Sequence, residues 1–147
     1  MKKGIYIVAT PIGNLGDISA RAVETLKNAD VIACEDTRVT KKLFSLLGLS
    51  LKKEFIPLHN FNEEEQAPKL IEMVAQDKSV ALVSDAGSPL ISDPGYKLIN
   101  KCREAGLYIC TIPGACALIC ALQLSGLPSN RFMFAGFIPN KEKARVD

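Results

Sequence analysis

One loop of the sequence combines a carboxylate with small residues that allow a ligand to approach the main chain. It follows an apolar run at 80–83 and reads SDAGSPLISDPG from Ser84 to Gly95. A carboxylate such as Asp85 can accept hydrogen bonds from hydroxyl or ammonium groups, and nearby main-chain N–H groups can bind anions. We therefore predict a binding loop for a small polar molecule. The alternative is that Asp85 forms an Asx turn, which only stabilises the loop.

The apolar runs and helical spacings around this loop predict strands that alternate with single helices. We expect strands at 4–9, 31–34, 55–58, 80–83 and 107–112, and helices at 20–28, 39–47, 62–76, 94–105 and 116–124. Such alternation is typical of an α/β fold, an open five-stranded and mainly parallel sheet flanked by helices. We place this domain at 1–127. The residues 128–147 are predicted to be a linker and the start of a second domain, whose opening strand is at 131–137.

Two of the helices carry residues that favour helix starts. Asp93 followed by Pro94 predicts an N-cap and a first helical residue. Asn62, with Glu65 three residues later, resembles a capping box at the start of the third helix.

In a parallel sheet the carboxyl ends of all strands lie at one edge, so the residues that follow the strands should meet there. These pairs are Thr10-Pro11, Glu35-Asp36, His59-Asn60, Ser84-Asp85 and Pro113-Gly114. Five of the ten glycines fall in three of these loops, at Gly13, Gly16, Gly87, Gly95 and Gly114. This concentration predicts a ligand site at the edge of the sheet, although glycine and proline also mark ordinary turns.

The composition narrows the class of protein. The chain has 147 residues, 48% hydrophobic and 23% charged, which is typical of a globular domain. A net charge of +2 gives no general argument for nucleic-acid binding, so only a local basic patch could provide it. Five cysteines without a CxxC pair indicate a reducing cytoplasm and no metal site. Neither a membrane span nor a signal peptide is expected, and no motif for dinucleotides or nucleoside triphosphates is present.

Four sequence blocks occur in a recognisable order: ATPIGNLGDIS at 9–19, CEDTR at 34–38, SDAGSPLISDPG at 84–95 and IPGACA at 112–117. Together with SGLPSNRFMFAGFIPNK at 125–141, they resemble the tetrapyrrole-methylase-like family of S-adenosylmethionine enzymes. Within that family, the resemblance is to the branch that modifies small-subunit ribosomal RNA. It implies S-adenosylmethionine as cofactor and 2′-O-methylation of a cytidine ribose in the decoding region.

The resemblance also implies partners and a domain arrangement. We expect the ribosomal RNA of the assembled small subunit as substrate, a homodimer, a cytoplasmic location and no membrane contact. Members of the family hold the cofactor between two α/β domains. This chain carries only the start of the second domain, with Lys141, Lys143 and Arg145. We therefore expect a truncated protein that is inactive by itself.

The predicted site residues fall into three groups. The cofactor is expected to contact the loops that follow the first, fourth and fifth strands, at Pro11, Gly13, Asp85, Ala86, Gly87, Ser88, Ile91, Pro113, Gly114, Ala115 and Ala117. The candidates for a catalytic base are Glu35, Asp36 and His59. The alternatives are that Glu35 and Asp36 cap the next helix and that His59 is a structural hydrogen-bonding residue.

A third group would contact RNA. Arg38, Lys41 and Lys42 share one helix face and could bind phosphate, although a solvated helix face is the simpler interpretation. The sequence is also compatible with two other functions. One is methylation of a tetrapyrrole or another small molecule, and the other is a non-catalytic module that binds the cofactor.

Overall fold

The computed structural model describes residues 1–92 and 94–142. In this part of the chain, strands and helices alternate as β1 Gly4–Val8, α1 Ala20–Asn28, β2 Val31–Cys34, α2 Thr37–Leu46, β3 Glu54–Pro57, α3 Glu63–Ala75, β4 Ser79–Val83, α4 Tyr96–Glu104, β5 Ile109–Ile112 and α5 Ala117–Leu124. A short 3-10 helix at Leu15–Asp17 precedes α1. The predicted bounds of α1 and β2 agree with the structure.

The five strands form one parallel sheet in the order β3-β2-β4-β1-β5. This confirms the predicted fold class. The fully buried strand β4 lies between β1 and β2, and its side chains alternate between the two faces. Val80 and Leu82 pack on the side of α3 and α4, whereas Ala81 and Val83 pack on the side of α1 and α2. The sheet therefore has a hydrophobic core on each face.

The adjacent strands β2 and β4 have connections that leave in opposite directions. Helix α2 leads from β2 outward to β3, and α4 leads from β4 across β1 to β5. Ligands in open α/β sheets bind beyond the carboxyl ends of strands at such a switch point. The topology thus predicts a ligand site at the loops after β1, β2 and β4.

Helix α3 begins directly after Asn62 as predicted, but the predicted side-chain cap at Asn62 and the predicted first helical residue of α4, Pro94, are wrong. The side chain of Asn62 does not cap α3, because its Oδ1 accepts the N–H of His59 at 2.8 Å and its Nδ2 donates to the Pro57 carbonyl at 2.9 Å. Helix α4 starts at Tyr96 rather than at Pro94, since Gly95 has a φ of 120°, which is not helical. The predicted N-cap Asp93 lies outside the described residues.

The chain divides into two compact units, residues 1–116 and the residues from 117 onward. This division falls before α5, whereas the sequence analysis placed the boundary after it. The second unit contains α5, in which no residue is buried. The strand predicted at 131–137 is absent from this unit as described. A strand requires a neighbour for its main-chain hydrogen bonds, and alternating apolar residues alone do not provide one.

No helix in the described ranges has the length and apolar character needed to cross a membrane. The five cysteines are free thiols, of which Cys34 and Cys102 are buried. Burial raises the pKa of each of these two thiols to about 11.

Candidate functional site

The loops after β1 and β4 are joined by a two-residue main-chain bridge. The Thr10 N–H donates to the Gly87 carbonyl at 3.0 Å, and the Gly87 N–H donates to the Thr10 carbonyl at 3.1 Å. Two observations favour glycine at position 87 of this bridge. Its φ is 79°, a value that residues with a side chain rarely adopt, and a Cβ there would lie only 3.1 Å from Ile12 Cγ2. The N–H of Gly87, one of the main-chain donors in the predicted binding loop, is therefore bonded within the protein.

The loop after β5 joins the same group. Ser88 Oγ donates to the Ala115 carbonyl at 2.9 Å. A Cβ on Gly114 would lie only 2.9 Å from the Cβ of Ala9, so the main chain at Gly114 approaches the end of β1 closely. The structure thus brings together the three loops that follow β1, β4 and β5, as their place at the carboxyl ends predicts.

Two cavities flank this junction. The first, which we call the α2-side cavity, has a volume of about 290 Å³ and lies between the β1 and β4 loops and helix α2. Its lining is mostly apolar with one amine and one carboxylate: Thr10, Pro11, Gly13, Leu15, Val39, Lys42, Leu43, Leu46 and Asp85.

The second cavity, the β5-side cavity, has a volume of about 220 Å³. It lies against the carboxyl ends of β1 and β5 and the β4–α4 loop, and is lined by Ile7, Ala9, Ser88, Pro89, Leu90, Ile91, Thr111, Ile112 and Pro113. The two cavities have no lining residue in common. The sequence analysis placed their residues in one cofactor site, but the Thr10–Gly87 bridge lies between them.

The remaining predicted cofactor residues differ in position. The Ala86 carbonyl accepts the Ser84 hydroxyl at 3.1 Å, which shapes the loop from within. Ala115 contributes the carbonyl that binds Ser88. Ala117 is the first residue of α5 and belongs to the second unit.

Asp85 links the loop after β4 to the loop after β2. Its Oδ1 accepts the Asp36 N–H at 3.1 Å. This bond reaches a residue 49 positions earlier in the chain and does not close a turn within its own loop. Because the residue as a whole is exposed and lines the α2-side cavity, Asp85 can also contact a ligand.

Asp36 has the capping role that was its alternative interpretation. Its Oδ1 accepts the N–H of Arg38 at 2.9 Å at the start of α2, and its Oδ2 accepts Arg38 Nη2 at 2.9 Å. The hydrogen bonds from the Arg38 side chain and main chain lower the pKa of the Asp36 carboxyl. A carboxylate with a lowered pKa is a weak base, so Asp36 is poorly suited to remove a proton. The half-buried Glu35 precedes it.

His59 lies at the end of the edge strand β3, two strands away from β4. Neighbouring strands are about 4.8 Å apart, so this end of β3 is roughly 10 Å from the end of β4. His59 Nδ1 accepts the Phe61 N–H at 3.3 Å, and His59 lines neither cavity. The structure therefore supports the structural interpretation of His59.

The three basic residues of α2 have different surroundings. The Arg38 side chain pairs with Asp36 at 2.9 Å, and Lys41 Nζ lies 5.3 Å from the centre of the Phe55 ring. Lys42 alone of the three lines the α2-side cavity. The three residues predicted to form one phosphate-binding helix face therefore have separate contacts.

Sequence reasoning missed Glu63, whose side chain is buried beside the loop that lines the β5-side cavity. Its Oε1 accepts the N–H groups of Gly95, Lys97 and Leu98 at 3.1, 2.9 and 3.1 Å. In the sequence it is the first of three consecutive glutamates at 63–65, and nothing there distinguishes it from the exposed Glu64 and Glu65.

A model of the family described as tetrapyrrole (corrin/porphyrin) methylases matches residues 4–145. Among curated proteins, the chain is similar to "Ribosomal RNA small subunit methyltransferase I" of Haemophilus influenzae, with 55% identity over 97% of this chain and 50% of the relative. The protein of that name from Vibrio cholerae is 53% identical over 97% of this chain and 49% of the relative. The chain thus spans about half the length of these relatives.

Solved structures with similar folds include diphthine synthase, with a TM-score of 0.68 and 24% identity over 88% of this chain and 51% of that protein. Uroporphyrin-III-C-methyltransferase from Thermus thermophilus has a TM-score of 0.63 and 24% identity, over 86% of this chain and 54% of that protein. At this identity the likeness shows a common fold.

Proposed function

This chain belongs to the tetrapyrrole (corrin/porphyrin) methylase family, and we propose that it contains the S-adenosylmethionine site of a methyltransferase. The observation that carries the proposal is the convergence of three loops on the Thr10–Gly87 bridge, with a cavity on each side. This convergence lies at the edge of the sheet where α/β proteins bind small ligands.

The β5-side cavity fits the cofactor. Its apolar residues, such as Leu90 and Ile91, can pack against nonpolar atoms, while the Ser88 oxygen can accept a hydrogen bond from an ammonium group. The main chain at Gly114 is packed so closely on Ala9 that a larger side chain would disturb the wall. S-adenosylmethionine supplies a methyl group that is already activated by a positive sulfur atom.

The α2-side cavity is the proposed site for the acceptor. Asp85 and Lys42 are its charged residues, so a carboxylate and an amine face the same apolar surface. Transfer requires the methyl carbon and the ribose oxygen to be in contact, so the bound acceptor must extend from this cavity past the Thr10–Gly87 bridge to the cofactor. Lys42 would bind a phosphate of the acceptor. Asp85 would accept the proton of the ribose hydroxyl as the new C–O bond forms and the bond between sulfur and the methyl carbon breaks.

We prefer Asp85 to Asp36 as the base because the Asp36 carboxylate is already bound by Arg38. We prefer it to His59 because His59 lies at the end of the edge strand β3, away from both cavities.

We propose small-subunit ribosomal RNA as the substrate, with transfer to the 2′-oxygen of a cytidine ribose. Support for this substrate comes from the names of the relatives at 53–55% identity, and support for the cytidine ribose comes from the resemblance of the four sequence blocks. We also propose a homodimer, for which the family resemblance is the support and sedimentation velocity the test.

Isothermal titration of this chain with S-adenosylhomocysteine tests the cofactor site. We expect the chain to bind S-adenosylhomocysteine. The substitution Thr111→Trp places an indole in the β5-side cavity, where it covers apolar surface that the ligand would contact. We expect this variant to bind at least about tenfold more weakly. The matched control is Val39→Trp, which adds the same bulk to the α2-side cavity and should leave affinity unchanged. A folded wild-type chain that gives no heat of binding, or equal loss in both variants, would contradict the proposed cofactor site.

A transfer assay tests the acceptor. Tritiated S-adenosylmethionine is incubated with undermethylated small subunits and either this chain or a chain extended to the length of its relatives. We expect labelled ribosomal RNA with the extended chain, and for Asp85→Asn slower transfer with unchanged affinity for S-adenosylhomocysteine. In a parallel reaction, a tetrapyrrole replaces the small subunits as acceptor, and label on the tetrapyrrole instead of on the RNA would indicate a small-molecule methylase. Binding of the cofactor by the extended chain without any transfer would indicate a non-catalytic module.

A further inference from the structure

The junction between α3 and α4 contains a buried carboxylate that belongs to one helix and caps the other. Glu63 is 2% exposed, and its Oε1 receives hydrogen bonds from Gly95, Lys97 and Leu98, the residues at the start of α4. Gly95 is the N-cap of α4 and has no side chain that could cap it. A buried carboxylate requires such donors, and the first N–H groups of a helix require an acceptor.

The contacts of Glu63 extend to the wall of the β5-side cavity through Gly95. A Cβ on Gly95 would lie 2.7 Å from Leu90 Cδ2, so the side chain of Leu90 is packed directly on this glycine. Leu90 and its neighbour Ile91 line the cavity. One chain of contacts therefore runs from the Glu63 carboxylate to Gly95, to Leu90 and to the cavity.

The main chain of this wall has a conformation that needs support. Leu90 has a φ of 77° and Ser92 a φ of 56°, values that are uncommon for residues with a side chain. Such conformations persist only where the surrounding structure holds them. Glu63 fixes the end of the same loop by three hydrogen bonds, and so it supplies a support from outside the loop.

We propose that Glu63 is a positioning residue for the methyl-donor site. It holds Gly95, and through Gly95 it holds Leu90 and Ile91 in the arrangement that forms the β5-side cavity. The proposal deepens the proposed function, since it takes that cavity to be the cofactor site. Glu63 itself does not line the cavity.

The first measurement is the affinity of Glu63→Ala for S-adenosylhomocysteine, because alanine removes the oxygen that accepts all three N–H groups. If the loop keeps its binding arrangement in only about a tenth of the molecules, the apparent affinity falls about tenfold. The matched control is Glu64→Ala, which removes the ion pairs of Glu64 with Lys97 and Lys101 between the same two helices but leaves the Glu63 contacts intact. We expect this control to bind like the wild type. A folded Glu63→Ala chain with wild-type affinity would overturn the proposal.

The second measurement needs no ligand. Amide hydrogen exchange at Leu90 and Ile91, well below the unfolding temperature, should be faster in Glu63→Ala than in the wild type or in Glu64→Ala. A role confined to global stability would leave exchange in this loop unchanged relative to the rest of the fold. If exchange is the same in all three proteins, Glu63 does not position the loop, whatever the result of the titration.

A second variant applies if Glu63→Ala does not fold. Gly95→Ala keeps the carboxylate but drives a methyl group against Leu90, and it should reduce affinity for S-adenosylhomocysteine in the same way. Wild-type affinity in this variant would contradict the step through Leu90. A wild-type chain that binds no S-adenosylhomocysteine contradicts the proposed function instead, and the exchange measurement then decides the role of Glu63 alone.

Discussion

Helices α2 and α4 both begin at the carboxyl edge of the sheet, but their first N–H groups are bound in different ways. Helix α2 is capped by Asp36, the residue directly before it, with a side chain that is 30% exposed. Helix α4 is capped by Glu63, which lies 32 residues before Gly95 in the chain and is 2% exposed. A local cap depends on its own segment, whereas a cap from another helix exists only after the fold has formed.

This difference determines what each cap does. Asp36 can be exchanged for another capping residue with small effect, since water reaches the same N–H groups. Glu63 has no such substitute, because its three donors are bound at a buried junction next to the β5-side cavity. The long-range cap therefore stabilises both the fold and the shape of a site, and the local cap stabilises mainly its own helix.

The largest expected effect is that of Glu63→Ala on stability. The substitution leaves the N–H groups of Gly95, Lys97 and Leu98 without their acceptor, two of these residues being fully buried. Loss of a buried, charged hydrogen-bond acceptor should lower the free energy of unfolding by about 3 kcal/mol or more. Urea denaturation followed by circular dichroism, with equal slopes for both proteins, measures this change.

Glu64→Ala is the control for that measurement. Glu64 makes ion pairs with Lys97 and Lys101 at distances of 2.7 and 3.6 Å, so it joins the same two helices at the surface. Exposed ion pairs contribute little to stability, and the change should be close to zero. If the two variants lost equal stability, the distinction between a buried and an exposed connection would be wrong.

The next effect concerns Gly114, a second long-range contact at the same edge. A Cβ at this position would lie 2.9 Å from the Cβ of Ala9, 105 residues earlier. Neither residue can move its Cβ without shifting its main chain, so Gly114→Ala should cost about 1–3 kcal/mol, the range for overpacking. Thermal and urea unfolding measure the loss.

The partner in this contact provides the control. Ala9→Gly removes the atom that the new methyl group meets, so the double variant Ala9→Gly with Gly114→Ala should regain most of the stability lost through the Gly114 substitution. Strictly additive losses in the double-mutant cycle would show that the contact between the two loops is not the cause.

The sequence predicted those features that depend on neighbouring residues. Helix α1 and strand β2 have the predicted bounds, since the apolar period and the short apolar run determine them. Parallel pairing follows from the alternation of strands and single helices, and parallel pairing in turn places Pro11, Asp85 and Gly114 at one edge. The type of ligand rests on the family resemblance and stays a prediction.

Features that depend on distant residues were missed or wrong. The strand order, with β4 inserted between β1 and β2, does not follow from local patterns. Asn62 resembles a cap, yet its amide closes a turn between His59 and Pro57. The cap of α4 comes from Glu63, one of three adjacent glutamates, and only the packing of α3 against α4 selects it. For the same reason the division of the site into two cavities became visible only in the structure.

A smaller effect is expected for Asp36→Ala. The substitution removes the acceptor for the Arg38 N–H, and loss of an N-cap changes the unfolding equilibrium constant by about fivefold in typical helices. Asp36→Asn keeps a capping oxygen and should be closer to the wild type. Both are measured by urea denaturation beside Glu63→Ala. A loss for Asp36→Ala as large as that for Glu63→Ala would contradict the contrast between the local and the long-range cap.

The smallest effect is a pH dependence that belongs to the local cap alone. Hydrogen bonds from Arg38 lower the pKa of the Asp36 carboxyl in the folded chain. The unfolded chain then binds more protons than the folded one near the ordinary carboxyl pKa of about 3.9, so the contribution of Asp36 is complete above that pH and decreases as the pH falls toward the folded value. The wild type should therefore unfold at a slightly higher temperature than Asp36→Asn at pH 6, and the difference should shrink toward pH 3.

The variant Arg38→Gln tests the cause of the lowered pKa. It removes the guanidinium that bonds to the Asp36 carboxyl, so the Asp36 pKa measured by NMR should move back toward its ordinary value. A difference between wild type and Asp36→Asn that stays constant from pH 6 to pH 3 would show that the charge of Asp36 contributes nothing, and that its hydrogen bond to the Arg38 N–H is the whole of the cap.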